Sequence, residues 1–299
     1  MHVFVTGATG LIGRALCGAL LGRGHAVTAL TRRPAAAGSL PAGVKAVEGD
    51  PARAGPWQEA LARADACVHL AGEPVAAGRW TVARKASIEA SRVDSTRLVA
   101  EVVAAGGPSI LVAGSAVGFY GSRGEELLAE DAAPGQGFLA EVARRWEAAA
   151  ERAAGRARVV QLRTGIVLAR DGGALPRLVL PFRLMVGGSL GDGTAWQPWL
   201  HLADEVGLIL LALEDARVEG PLNACAPEPV RGRELARAIA AVLRRPSLFP
   251  VPAPALRLAL GELADVVLAS QRVVPRKALG LGYAFRFPSL EPALRDLLR

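Results

Sequence analysis

Short apolar runs alternate with longer amphipathic stretches through the first half of the chain. Residues 2–6, 26–31, 44–48, 66–70, 109–114 and 158–163 are predicted strands. Between them, 11–23, 81–105 and 137–154 carry apolar residues every three or four positions and are predicted helices. This βαβα alternation is the signature of an α/β protein whose parallel sheet is covered by helices on both faces. Beyond residue 165 the texture changes. Segment 168–199 mixes Gly, Pro and apolar residues, and Gly187 to Gly193 holds four glycines in seven positions, a shaped loop with no regular element. Helices at 204–214, 231–244 and 254–268 and a strand at 221–225 are predicted downstream. No repeat or flexible linker separates the halves, so the change near 167 is one of role inside a single compact body.

The strongest motif lies between the first strand and the first helix: Thr6-Gly7-Ala8-Thr9-Gly10-Leu11-Ile12-Gly13. Gly7 allows the tight turn, Gly10 lets a pyrophosphate approach the backbone, and Gly13 permits close helix–sheet packing. The helix start offers free N–H groups and a partial positive charge to phosphates. Thr31-Arg32-Arg33 ends the second strand, with Arg32 nineteen positions after Gly13. An acid there would hold the ribose 2′-hydroxyl of NAD, whereas a guanidinium pairs with a 2′-phosphate, so NADP(H) is the expected cofactor. In so arginine-rich a chain Arg32 could also be a solvated loop charge. Asp50 follows the third strand, where an adenine amino group could be met. Leu70, Ala71 and Gly72 follow the fourth, small enough for the backbone to pass close to a cofactor. His69 reads as a strand-end histidine in preference to an acid or base.

Composition narrows the function classes. At 51% hydrophobic and 21% charged, the 299 residues can bury a core, which excludes global disorder. The net charge of +7 and a pI near 10.1 invite a nucleic-acid reading. However, 32 of the 35 basic residues are arginines scattered in singles and pairs, a compositional habit with no basic arm, so no nucleic-acid partner is expected. Cys17, Cys67 and Cys225 are far apart and in apolar surroundings, which predicts reduced thiols and no metal site. Neither a signal peptide nor a membrane span is read, so the expectation is a soluble cytoplasmic protein without a membrane partner.

These residues together resemble the extended short-chain dehydrogenase/reductase superfamily, and within it the "epimerase family protein" subgroup, NAD-dependent epimerase/dehydratases with a C-terminal domain of unknown function. The subgroup's pattern is read in Gly72-Glu73-Pro74, Arg79-Trp80-Thr81, Lys85, Ser91-Arg92-Val93, Ser115 to Gly121, Trp146-Glu147, Trp199-Leu200-His201 with Asp204, and Ser270 to Val273. The resemblance implies a Rossmann doubly wound domain over 1–167 plus about 200–226. A smaller, mostly helical substrate lobe would then comprise 168–199 and 227–299. It also implies that Arg163-Thr164-Gly165 passes the nicotinamide carboxamide, and that Gly187–Gly193 with Trp196 and Trp199 forms a pocket wall. Ala195 stands where the subgroup usually has glutamine. His201 and Asp204 imply a structural turn.

Superfamily members that transfer hydride generally use Tyr-x-x-x-Lys on the helix after the fifth strand, with a serine at that strand's end. Ser115 occupies the serine position, but Phe138 to Glu147 contains neither Tyr nor Lys, and Arg92 replaces a frequent asparagine. The resemblance implies that the subgroup shares this departure. Candidates for the chemistry are Ser115, to hydrogen-bond a substrate oxygen; Glu73, as a base or a turn cap; and Tyr120, as an acid/base or a packing residue. Arg79, Lys85 and Arg92 would form either a cationic patch for a carboxylate or phosphate substrate or a set of solvated charges. The expected function is an NADP(H)-dependent oxidoreductase, monomeric or homodimeric, acting on a small anionic carbonyl or hydroxyl compound. The alternative is a non-catalytic NADP(H)-binding sensor or partner-binding protein.

Overall fold

The computed structural model describes residues 1–298, with Pro34, Ala36 and Ala37 described by backbone alone. The chain runs β1 (His2–Thr6), α1 (Leu11–Gly22), β2 (Ala26–Thr31), β3 (Lys45–Glu48), α2 (Trp57–Ala62), β4 (Ala66–His69), α3 (Val82–Ala104), β5 (Ile110–Ala116) and α4 (Phe138–Ala150). It continues through β6 (Arg158–Thr164), α5 (Leu175–Arg183), α6 (Leu202–Glu214), β7 (Gly220–Ala224) and α7 (Gly232–Leu243). Helices α8 (Ala253–Leu260), α9 (Leu263–Leu268), α10 (Arg276–Gly280) and α11 (Leu290–Leu298) complete it. Short two- to four-residue ribbons join the loops.

The seven strands form one parallel sheet in the order β7-β6-β5-β4-β1-β2-β3, the doubly wound Rossmann arrangement that the alternation predicts. Side-chain alternation divides its faces. Val3 and Val5 of β1 pack with Leu16 and Leu20 of α1 and with Leu208 and Ile209 of α6, while Phe4 points the other way, into Leu98, Val99 and Val103 of α3. A second apolar cluster, with Trp199 in it, joins α5, α7 and α11.

The differences from the sequence reading have local causes. The helix predicted over 254–268 is two helices, because Gly261 takes φ +60° between them. Helix α5 falls in segment 168–199, where no helix was predicted, ahead of the glycine loop; its Pro176 sits in the first turn, where no N–H is needed, and Pro181 lies inside it. All three cysteines are free and buried, and no group of described residues could hold a metal. No helix among the described residues is long and apolar enough to cross a membrane.

One buried acid lies beneath the sheet. Glu205 of α6 accepts from the Thr164 hydroxyl at 2.9 Å, its second oxygen has no partner, and burial pushes its pKa up to about 8. The unfolded chain ionises this group above about 4.5, while the folded chain keeps its proton until about 8. Stability is therefore lost as pH rises through that window and is constant above it. Glu205→Gln should flatten the slope, so that urea denaturation at pH 5 and pH 8 differs by on the order of a few kcal/mol less than in the wild type. Equal slopes would show that Glu205 is already ionised in the fold.

Candidate functional site

The site is built along the carboxyl edge of the sheet. Gly7 takes φ +68°, and a Cβ there would lie 2.7 Å from the Leu70 carbonyl. A Cβ on Gly13 would fall 2.6 Å from the Ala8 Cα, so neither position admits a side chain without moving backbone. Gly10 is the N-cap of α1 and brings no capping side chain, which leaves the first-turn N–H groups open to an anion. Leu11 has a packing role too, lying under Gly172 and Gly173. Thr9 and Ile12 are half-buried in the same turn.

His69 secures this edge from behind. The Ser95 hydroxyl donates to the Ser91 carbonyl at 2.7 Å, which leaves it to accept from His69 Nε2 at 3.0 Å. Nδ1 then accepts from the Thr6 hydroxyl at 2.7 Å, and Thr6 in turn accepts from the Ala71 amide. Burial lowers the His69 pKa to about 4, so the ring is neutral and ties β1, β4 and α3 together.

Beside the turn, the Thr31 hydroxyl is engaged with the Arg33 backbone and Asp50 caps its own turn at the Ala52 amide. Arg32 is 66% exposed, and its guanidinium lies 3.7 Å from a Glu73 oxygen. The other Glu73 oxygen is 3.4 Å from Arg84. Glu73 is thus a bridge between two arginines, and the carboxylate that meets Ser115 is a different one. Arg92, expected at a pocket mouth, packs instead 5.2 Å over the Trp146 ring and donates to the Glu73 and Ile88 carbonyls; burial brings its pKa down to about 10.

The cationic patch for an anionic substrate does not form from Arg79, Lys85 and Arg92. Arg79 donates to the Leu258 and Ala259 carbonyls at the end of α8, and Lys85 pairs with Glu262. These two contacts latch the start of α3 to the α8–α9 hairpin. The unpaired guanidinium groups lie elsewhere: among the described residues no ion pair holds Arg233 or Arg237, which line a cavity of about 830 Å³ with Gly188, Gly191 and Ser270. Trp199 is not part of its wall; it is buried in the core of the lobe.

Ser115 ends β5 and donates to Glu147 of α4 at 2.6 Å, with only 4% of its surface exposed. Glu147 also takes a bidentate pair from Arg163, at 2.8 and 2.9 Å. Arg163 continues to the Tyr120 hydroxyl at 2.9 Å and stacks 3.6 Å from the Phe119 ring. Tyr120 is fully buried, donates to Asn223 at 2.7 Å, and has its pKa raised to about 12 by burial. The Tyr120 phenol is enclosed by the fold, and Arg163 directs four hydrogen bonds into the interior. Sequence reasoning passed over Glu147 as a functional residue. Its signal was a carboxylate on the buried face of α4, in line with Ala140, Ala143 and Ala150.

The sheet order, the glycine turn and the bare helix start place the chain in the class of Rossmann-fold proteins. Residues 3–225 match the NAD dependent epimerase/dehydratase family and residues 251–297 a domain of unknown function, DUF1731. The chain belongs to that epimerase/dehydratase family. It is 38% identical to the chloroplastic epimerase family protein SDR39U1 homologue of Arabidopsis thaliana, across 100% of this chain and 87% of the relative. It is 36% identical to the epimerase family protein YfhF of Bacillus subtilis, across 100% and 98%. The crystal structure of human epimerase family protein SDR39U1 with NADPH superposes with a TM-score of 0.88 at 33% identity, covering 99% of both chains.

Breaking the buried pair by Arg163→Met should cost about 3–5 kcal/mol in urea denaturation, because it strands the Glu147 carboxylate. Adding Glu147→Gln should recover most of that loss. A double variant as unstable as the single one would mean that packing, not charge, dominates the site.

Proposed function

We propose that the chain is an NADP(H)-dependent oxidoreductase acting on a small anionic carbonyl or hydroxyl compound, with Ser115 and Glu147 as its proton relay. The observation that carries this reading is the 2.6 Å bond from the Ser115 hydroxyl to the buried Glu147 carboxylate at the strand end. Because Ser115 donates to Glu147, its lone pairs are left to accept from a substrate hydroxyl. A proton taken from that hydroxyl passes through Ser115 to Glu147, and the same relay run backwards returns it to a carbonyl oxygen. Arg163 holds Glu147 in position and so acts through it.

The residues fit the cofactor. The Gly7–Gly13 turn has the side-chain-free contour that a pyrophosphate needs, and Arg32, held by a single long ion pair, is free to turn to a 2′-phosphate. When bound, NADPH supplies the hydride. The NADPH in the human relative supports the same choice. The charge of the substrate rests on Arg233 and Arg237, which are in no ion pair among the described residues and outweigh the one carboxylate, Asp192, that lines the same cavity.

Steady-state NADPH oxidation against carbonyl compounds bearing carboxylate or phosphate groups tests the relay. Ser115→Ala should lower kcat about a hundredfold with NADPH affinity unchanged. Turnover equal to that of Ser115→Ala across the whole set would remove the catalytic reading. In a fluorescence titration, Arg32→Glu should weaken NADPH binding by roughly tenfold to a hundredfold and leave NADH binding unaltered. Equal effects on both would detach Arg32 from the 2′-phosphate.

The absence of Tyr and Lys from the inner face of α4 favours a second reading, a protein that binds NADP(H) without turnover and reports its redox state to a partner. That reading requires a partner recovered with one cofactor form only.

A further inference from the structure

Two neighbouring helix ends in the C-terminal lobe stop in an unusual way. Helix α5 ends with Met185 at φ +65° and α7 with Arg244 at φ +54°, the two described non-glycine residues with positive φ. Both ends close the same hydrogen-bond pattern: Val186 and Met185 amides reach the Pro181 and Phe182 carbonyls, and Arg245 and Arg244 amides reach Ala240 and Ala241. Glycine is the usual residue at such a left-handed position, and a side chain there costs on the order of 1 kcal/mol. Here a methionine stands at one such position and an arginine at the other, and their loops meet: the Leu248 and Phe249 amides donate to the Gly187 carbonyl, and Arg245 reaches the Met185 sulfur at 3.5 Å.

The surface so formed is apolar and basic. Leu180, Leu184, Met185, Val186, Leu248 and Phe249 are all exposed, Leu184 by 64% and Phe249 by 56%. Exposed Arg183, Arg244 and Arg245 stand among them, and none of the three is in an ion pair among the described residues. No Asp or Glu occurs from 172 to 191 or from 235 to 261, so both segments are free of negative charge. Large apolar side chains clustered in the open mark an interaction surface.

We propose that this face docks on an anionic lipid surface, with the apolar tips entering the interface and the three arginines meeting the headgroups. A second copy fits poorly, since a two-fold contact would set three unpaired arginines against the same three. None of the six apolar side chains lines the adjacent cavity; they present tips and not a slot for a peptide. Apolar residues flanked by arginine suit the bilayer interface, where each cation near an anionic leaflet adds to the attraction. The sequence-based expectation of no membrane partner rested on the lack of a span, which interfacial docking does not need.

Co-sedimentation of the full chain with phosphatidylcholine vesicles, alone and with phosphatidylglycerol added, tests this. Binding should require the anionic lipid and weaken with salt. Leu184→Ser with Phe249→Ser should weaken it about tenfold or more, as should Arg183→Glu with Arg245→Glu. Arg156→Glu, at an exposed position just ahead of β6 and outside both segments of the patch, should change it little. Unaltered thermal unfolding and NADPH binding would show that the variants fold. No binding to either vesicle overturns the proposal. So does an Arg156→Glu loss equal to that of the patch arginines with the serine variant unaffected, which is adhesion by net charge. A dimer in sedimentation equilibrium that Phe249→Ser dissolves would assign the face to a second copy instead.

Discussion

The buried pairing of Glu147 with Arg163 is the constraint around which the centre of the molecule is arranged. Two full charges removed from water are tolerated only where geometry is good and every remaining donor is satisfied. Arg163 approaches that condition with four hydrogen bonds, two to Glu147 and one each to Tyr120 and the Glu130 carbonyl. Tyr120 then passes the requirement on to Asn223, whose amide donates to the Val274 carbonyl. One ion pair thus ties α4, β6, the loop after β5, β7 and the C-terminal segment into one register. Ser115 inherits its orientation from that network, through the same carboxylate.

The arginines are sorted by this architecture into distinct tasks. Some close the body: Arg79 finishes the end of α8, Arg92 lies on Trp146, and Arg84 with Arg32 flanks Glu73. Arg233 and Arg237 are in no ion pair among the described residues and face the cavity, where Asp192 stands near Arg233, and Arg183, Arg244 and Arg245 stand in segments without Asp or Glu. A net charge of +7 is therefore no single property of this protein. It is the sum of one interior pair, many surface pairs that cancel locally, and the guanidinium groups that no acid meets.

At the glycine turn, the limiting factor is space. Gly7 and Gly13 permit β1, the Leu70 carbonyl and α1 to approach closely, and the neutral His69 holds the strand ends level behind them. The open N–H groups at the start of α1 are left over from that packing. They are usable by a phosphate because no side chain caps them.

The strands, the main helices and the glycine turn were legible in the chain itself, since each depends on residues within a few positions of one another. Glu73 and Tyr120 were not, because their roles depend on partners 41 and 103 positions away along the chain for Arg32 and Asn223 respectively. The two prolines of α5 and the break at Gly261 hid local structure, as propensity yields to packing there. Ser115 could be placed from its position at a strand end, but its carboxylate partner could not. Helix α4 had to cross the sheet at a given angle before Glu147 came within 2.6 Å. Sequence determined which groups could hold charge and where the backbone could bend; only the tertiary structure decided which charges were neutralised, because pairing depends on distance in space and burial.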